Sequence, residues 1–246
     1  MGCFALSEPD AGSNPRKINT SIVPAERGKW KINGTKCWIT GAATADMYLV
    51  FGRHEEESGY KGISCFAVPK TTAGIEIQNS LDMLSINGVG LRTIVFKDVE
   101  IGEEYLIGEL GKGMIAAESG LLFGRLFTGP VCTGIMKRCS QFMNRYASKR
   151  NIGSGLLLDS PVTAAKLREI DIAVTSIEAM DSFIAEKIDS NQEIPEDFAI
   201  ACKVLSSELA WETADKSVQL LGARGLDERN LAARILCDTR FFRIGT

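Results

Sequence analysis

The sequence lacks the residue patterns that are typical of metal-binding proteins and of disulfide-rich secreted proteins. It has a single histidine, and none of its seven cysteines forms a Cys-x-x-Cys pair; they stand scattered at positions 3, 37, 65, 132, 139, 202 and 237. Neither a zinc site nor a secreted disulfide framework fits this pattern. We therefore expect a reducing intracellular compartment, such as the cytoplasm, and no metal.

Long apolar runs and blocks of like charge are also lacking. The best apolar run, residues 121–127, is interrupted by Arg125, so no stretch reaches the ~18 residues that would span a bilayer. The 28 basic and 31 acidic residues give a net charge of −3 and form no Lys/Arg stripe that could follow a phosphate backbone. We expect no membrane span and no nucleic-acid partner. With 246 residues, of which 45% are hydrophobic, the chain can form one large or two small cores.

The first part of the chain, up to about residue 105, has the pattern of strands. The predicted strands are residues 30–32, 35–38, 47–51, 63–68, 75–77 and 93–99. Asn33-Gly34 separates the first two and is the strongest two-residue hairpin signal, because both residues tolerate positive φ. Short strands without intervening helices predict an antiparallel barrel or sandwich.

From residue 111 onward the hydrophobic period is that of helices. Ser160 and Pro161 form a favourable N-cap and first turn. The predicted helices cover roughly residues 114–149, residues from 161 onward and residues 195–221, and the third is expected to turn Phe198, Ala201, Leu205, Leu209 and Val218 inward. The sequence thus predicts an α+β protein: an antiparallel β-barrel or sandwich domain at residues 1–108, then a C-terminal antiparallel helical bundle at residues 109–246.

Four segments could carry chemistry: residues 4–13, residues 38–40, residues 146–153 and residues 219–225. Three of them have a structural explanation as well. The first reads as a strand that ends in an Asp-Ala-Gly-Ser turn, and Trp38 as an ordinary barrel aromatic. In the last, the glycine spacing is not that of a Rossmann loop and a helix pattern precedes it, so a helix stopped by glycine is the simplest interpretation.

Taken together with residues 238–246, these segments resemble the flavin-binding and active-site segments of the acyl-CoA dehydrogenase family, in order and spacing. The resemblance implies a flavoprotein that binds FAD and catalyses the α,β-dehydrogenation of an acyl thioester, carried by CoA or by an acyl carrier protein. It also implies a homodimer or homotetramer, because members commonly contact the FAD of a neighbouring subunit.

The resemblance also assigns residues. Phe4, Leu6 and Ser7 would contact the flavin edge, Trp38 would lie along the ring and Thr40 would hydrogen-bond near its reactive nitrogen, while Arg150 would pair with the pyrophosphate. The full set for FAD is Phe4, Leu6, Ser7, Gly12, Ser13, Trp38, Ile39, Thr40, Arg150, Gln219, Gly222, Ala223, Gly225 and Thr246. Ser13 and Arg125 are the residues expected to contact the substrate.

The catalytic base is where the chain departs from the family. A glutamate usually stands between an Arg-Ile and a Gly-Thr pair, but here Ile244 is joined directly to Gly245. Some members place it beside the arginine that corresponds to Arg125, where this chain has Gly124. The catalytic residue is therefore unassigned.

The intact residues around this junction lead to a specific expectation. We expect that the printed sequence omits an aromatic-Glu pair at the junction, together with an N-terminal helical domain of a longer protein. A break there, where a peptide bond would measure about 1.33 Å, would restore a glutamate base. A continuous chain would favour either a flavin oxidase or hydroxylase, or a non-catalytic FAD-binding or subunit-assembly module.

Overall fold

The computed structural model describes residues 1–54 and 60–245. The chain forms two compact units, Met1–Gly120 and the residues from Leu121 onward. The predicted boundary at residue 108 lies earlier in the chain, and a functional division there stays a prediction. In the part that the structure describes, no helix combines the length and the apolar character needed to cross a bilayer.

The first unit is built on a seven-stranded sheet. Its strands are β1 (Gly2–Ala5), β2 (Ser21–Pro24), β3 (Lys29–Ile39), β4 (Met47–Arg53), β5 (Ile63–Pro69), β6 (Ile75–Ile77) and β7 (Arg92–Gly102). Strand β4 pairs with β5 along its whole length, and β3 pairs with both β2 and β7. These pairs are antiparallel, as predicted, but β1 and β2 each run parallel to β4, so the sheet is mixed.

The predicted hairpin at Asn33-Gly34 is wrong. Strand β3 continues through both residues, and its register with β7 shifts between Ile32 and Gly34, which marks a β-bulge. The Asn33 side chain bonds the facing Asp98, donating to its carboxylate at 3.2 Å and accepting from its N–H at 2.8 Å. Gly34 is required for a different reason: a Cβ there would lie 2.4 Å from Thr20 Oγ1.

The second unit is helical. Its elements are α1 (Gly113–Ala147), which starts in the first unit, α2 (Pro161–Asp189), α3 (Glu196–Leu221) and α4 (Leu231–Phe242). Ser160 is the N-cap residue of α2 and Pro161 its first residue, as predicted. Met136 and Met143 from α1 pack with Ile170 and Ile177 from α2 and with Ala210 from α3 in one buried cluster.

The inward face of α3 was predicted only in part: Phe198 and Leu209 pack against buried clusters, and Val218 is half-buried. Ala201 and Leu205 are exposed, and the buried face consists mainly of small residues: Ala199, Cys202, Ser206, Ser207, Ala210, Thr213, Ala214, Ser217 and Leu221. Ser206, Ser207 and Ser217 satisfy their hydroxyls on carbonyls three or four residues earlier in the helix. Each of these buried hydroxyls therefore has a hydrogen-bond acceptor, and the small side chains favour close helix packing.

Candidate functional site

In the first unit, the segment after β1 is fixed against the end of β3. The carbonyl of Ser7 accepts a hydrogen bond of 2.9 Å from the N–H of Cys37, so Ser7 lies beside the residue that precedes Trp38. Leu6 and Ile39 are buried, and the half-buried Phe4 ring packs on Phe51 with ring centres 4.7 Å apart. Phe4, Leu6 and Ile39 can therefore offer mainly backbone groups to a ligand.

Trp38 has an unusual backbone conformation. Its φ is 56°, in the left-handed region, and the pairing of β3 with β7 is irregular between Lys36 and Ile39. Its side chain is 48% exposed although it follows two buried residues. A positive φ costs a non-glycine residue on the order of 1–3 kcal/mol, and such strain is concentrated at ligand sites. The distortion turns a large indole outward.

The remaining assigned residues of this unit are polar and accessible. Ser7 is half-buried, whereas Gly12, Ser13 and Thr40 are exposed. The loop after Thr40 is anchored by the buried Tyr48, whose hydroxyl donates to the carbonyl of Ala42 at 2.9 Å. We call Ser7, Trp38 and Thr40 the Trp38 surface; it offers two hydroxyls and an indole.

A buried ion pair lies behind this surface. Lys36 is 0% exposed and Glu8 4% exposed, and their side chains meet at 2.7 Å. Lys36 Nζ also donates to the carbonyl of Leu6 at 3.0 Å. The sequence analysis assigned neither Glu8 nor Lys36 to the site.

In the second unit, Arg150 lines a cavity of about 560 Å³. The residues that the structure describes around it are Phe142, Arg145, Tyr146, Lys149, Arg150, Asn151 and Arg224. Four of the seven are cations and none is an acid, so this Arg150 cavity suits an anionic ligand with an aromatic or apolar part. The structure thus brings Arg150 together with Arg224 from the predicted segment 219–225.

Arg145 is the cation of this cavity that the sequence analysis missed, because Lys149 and Arg224 both lie in predicted segments. Arg145 lies in the last turn of α1, and Phe142 and Tyr146, which also line the cavity, are four residues apart on that helix. Lys149 follows the end of α1 at Ala147. The position of Arg145 in the last helical turn before Arg150 is the signal that could have found it.

The segment 219–225 ends α3. Gly222 is the C-cap residue with φ 61° and ψ −141°, and its N–H donates to the carbonyl of Gln219. Gly225 is buried and lies close to the end of α3. A Cβ at this position would be only 2.7 Å from the carbonyl oxygen of Val218, so the close approach requires glycine. Gln219 and Ala223 are exposed. Helix termination and close packing therefore explain both glycines without a ligand.

Arg125 lies in a neighbourhood of mixed charge. Its guanidinium donates to Glu196 at 3.1 Å, and its side chain is 24% exposed. Burial, together with the positive charge of Arg125, lowers the pKa of Lys203. A second ion pair joins Arg243 to Glu208 at 2.8 Å. Arg125 is therefore neither free of partners nor fully buried.

Ile244 and Gly245 follow the end of α4. The N–H groups of both donate to the carbonyl of Phe241, at 2.9 and 2.8 Å. The omission of an aromatic-Glu pair between them stays a prediction. The assigned Thr246 lies outside the described residues. Within residues 1–54 and 60–245, no cluster of three or more His, Cys, Asp or Glu side chains is placed to hold a metal ion.

Two sequence profiles of known domains match this chain. The profile described as "Acyl-CoA dehydrogenase, middle domain" covers residues 3–99, and that described as "Acyl-CoA dehydrogenase, C-terminal domain" covers residues 111–246. The human mitochondrial short-chain specific acyl-CoA dehydrogenase is 32% identical over 244 residues, which are 99% of this chain and 59% of that protein. The chain thus spans less than two thirds of the length of this relative.

Solved structures share the fold. Butyryl-CoA dehydrogenase from Megasphaera elsdenii matches 99% of this chain with a TM-score of 0.95 and 26% identity, and 63% of its own chain is covered. The prolyl acyl carrier protein oxidase AnaB matches 99% of this chain with a TM-score of 0.93, over 64% of its own chain. Its identity is 20%, so this likeness concerns the fold alone.

Proposed function

Because this chain belongs to the acyl-CoA dehydrogenase family, we propose that it forms the flavin-binding part of an FAD-dependent oxidoreductase that acts on acyl thioesters. The observation that carries the proposal is the Arg150 cavity, in which four cations surround a space of about 560 Å³. When bound, FAD would supply a hydride acceptor for α,β-dehydrogenation of the thioester.

The two halves of the cofactor need different chemistry, and the chain offers both. Arg150 and Arg224 supply guanidinium groups, which bind phosphate oxygens bidentately. The Trp38 surface supplies an apolar ring and hydroxyls suited to the flavin. Hydrogen-bond donors such as Ser7 and Thr40 stabilise negative charge that develops on a reduced flavin. These donor sets fit FAD, with Phe4, Leu6, Gly12, Ile39, Gln219, Gly222, Ala223, Gly225 and Thr246 as the further proposed contacts.

Substrate contacts are proposed for Ser13 and Arg125. Ser13 is exposed and would hydrogen-bond the pantetheine arm that CoA and acyl carrier proteins have in common. Arg125 would orient the thioester or remain a partner of Glu196. CoA and acyl carrier proteins both present this arm, so these two residues do not distinguish between the two carriers. The proposal therefore names a pantetheine-linked acyl thioester and not one particular carrier.

A second candidate function follows from the junction of Ile244 and Gly245. Dehydrogenation requires a base for the α-proton at a fixed position, and neither family position holds a carboxylate here. A chain without a carboxylate at either position would be a flavin oxidase or hydroxylase, or a non-catalytic FAD-binding or assembly module. The carrier-protein oxidase that shares the fold gives the first of these a precedent.

Assembly and compartment are also proposals. We propose a homodimer or homotetramer in which the Arg150 cavity contributes to the cofactor site of a neighbouring copy, as the family resemblance implies. We further propose the cytoplasm or another reducing compartment. All seven cysteines are free thiols and six of them are buried, which supports a reducing environment.

The test starts from the purified chain with FAD, FMN or NAD added in parallel. We expect FAD to be retained and identified by chromatography after release. Recovery of FMN, or of no flavin at all, would overturn the proposal. Anaerobic titration with short acyl-CoA and acyl carrier protein thioesters then separates the candidates: bleaching indicates dehydrogenation, bleaching reversed by oxygen with peroxide release indicates an oxidase, and retained FAD without bleaching indicates the module.

A further inference from the structure

Lys36 is a cation on the buried face of the sheet in the first unit. Its side chain is 0% exposed, and its position in β3 is on the same buried face as Ile32. A buried ion pair is often less stabilising than two well-packed apolar residues of similar volume. Packing alone therefore does not explain why this position holds lysine.

The ion pair joins three separate parts of the chain. Lys36 Nζ donates to Glu8 Oε1 at 2.7 Å and to the carbonyl of Leu6 at 3.0 Å. The Glu8 carboxylate in turn accepts from the N–H groups of Asn19 at 2.6 Å and Thr20 at 3.0 Å. Two side chains thus tie residues 6–8 and 19–20 to the end of β3.

The electrostatics agree with this geometry. Burial lowers the pKa of Lys36 to about 8, although the charge of Glu8 acts in the opposite direction. For Glu8, burial raises the pKa, but the attraction of Lys36 and the bonds from Asn19, Lys36 and Thr20 outweigh it, so the pKa lies below its ordinary value. Near neutral pH both groups are charged.

The position of the pair relates it to Trp38. Lys36 comes two residues before Trp38, and the intervening Cys37 donates its N–H to Ser7. A strained φ such as that of Trp38 persists only where the surroundings over-determine it. Here those surroundings are the side-chain anchor at Lys36 and the backbone bond at Cys37.

We propose that Lys36 and Glu8 are positioning residues: their ion pair holds residues 6–8 against the end of β3 and so fixes the flavin-facing groups of both segments in one arrangement. This inference rests on the proposed function. The pair lies below the Trp38 surface and acts on a ligand only through Leu6, Ser7 and Trp38.

The decisive variant is Lys36→Met/Glu8→Gln in the full chain. It removes both charges together, and the glutamine amide oxygen remains an acceptor for the N–H groups of Asn19 or Thr20. Lys29→Met is the matched control, because Lys29 lies on the same strand but pairs with Glu100 at the surface, both half exposed. Circular dichroism and a cooperative melt establish that each variant is folded.

We expect the double variant to bind FAD at least about ten-fold more weakly, which corresponds to roughly 1.4 kcal/mol. The absorption spectrum and reduction potential of its bound flavin should shift as well, whereas Lys29→Met should match the unmodified chain. A folded double variant with affinity within about two-fold and an unchanged spectrum would overturn the inference.

Two further measurements cover the other outcomes. If the double variant does not fold, Glu8→Asp keeps the charge on a shorter side chain; a shifted flavin spectrum supports the inference and an unchanged one overturns it. In flavin-free protein, amide hydrogen exchange at Cys37 should accelerate in the double variant relative to the amides paired between β3 and β7, and equal protection would count against it. If the unmodified chain binds no flavin, the proposed function itself is overturned, and the positioning role with it.

Discussion

At the scale of single residues, Lys36 shows why part of the candidate site was invisible in the sequence. The alternation of β3 places position 36 on the buried face, but lysine there contradicts the usual pattern. Its counter-ion, Glu8, is 28 residues away along the chain. No local motif joins two such positions. A lysine at an inward strand position is nevertheless a signal that a buried acid must exist.

The pH dependence of stability tests the charge state of Glu8. Its pKa in the folded chain lies below its ordinary value of 4.5, so the folded state prefers the charged form. The resulting stabilisation is complete above the ordinary pKa and is lost as the pH falls through the folded-state pKa. Lys36 stays protonated over this range, because its pKa is about 8. We expect the free energy of unfolding, measured with urea between about pH 3 and pH 7, to fall on acidification.

The Lys36→Met/Glu8→Gln variant provides the comparison for this acid limb. All other carboxylates are retained, so the difference between the two pH profiles isolates the pair. The variant should lose less stability than the unmodified chain as the pH falls from about 5 to about 3. Parallel profiles would show that Glu8 has the same pKa in the folded and unfolded states, contrary to the burial and bonding described above.

At the scale of elements, periodicity predicted most strands and helices, and the exceptions have local physical causes. Residues 75–77 were predicted as a strand and form β6, and the predicted helix at 195–221 forms α3 to within one residue. Asn33-Gly34 misled because the same positive-φ tolerance that favours a turn also suits a bulge. In α3, apolar size predicted Leu205 to be inward, but close packing selects the small serines and alanines.

The two glycines after α3 make separate predictions about element ends. Gly225→Ala should destabilise flavin-free protein by about 1–3 kcal/mol, because the added methyl meets the backbone of Val218 at 2.7 Å. Gly222→Ala meets no atom within 4 Å, but it should cost about 1–3 kcal/mol through its backbone conformation, φ 61° and ψ −141°. Chemical denaturation of both variants without flavin measures the two effects.

Gly134→Ala is the control for this pair. Gly134 lies inside α1, and a Cβ there also meets no atom within 4 Å. Because alanine is the better helix former, this variant should gain about 0.5–1 kcal/mol. If Gly225→Ala kept full stability and lost only flavin affinity, the glycine would serve the ligand rather than the packing of the helix end.

At the scale of the whole molecule, the resemblance found in short motifs extends over the chain: the two matching domain profiles cover residues 3–99 and 111–246. The sequence predicted only part of the Arg150 cavity. Arg150 and the segment around Arg224 were predicted separately, and they meet because α1 and α3 end near the same place in the second unit. Such a meeting of helix ends is set by tertiary packing, which a single sequence does not display.

The Arg150 cavity links cofactor binding to assembly, and Arg150→Ala tests both. Loss of one charge-assisted contact to a phosphate should weaken FAD binding by about ten- to a hundred-fold, or roughly 1.5–3 kcal/mol. Because the cavity is proposed to serve a neighbouring copy, sedimentation should show a smaller assembly when FAD is limiting. The control is Arg138→Ala, because Arg138 is an exposed residue of α1 outside the cavity; this substitution should change neither quantity.

The salt dependence of binding tests the same contact. High salt should reduce FAD affinity less in Arg150→Ala than in the unmodified chain, because the substitution removes a cation whose attraction salt would screen. A stable monomer that retains FAD fully after the substitution would contradict both the phosphate contact and its place at a subunit boundary.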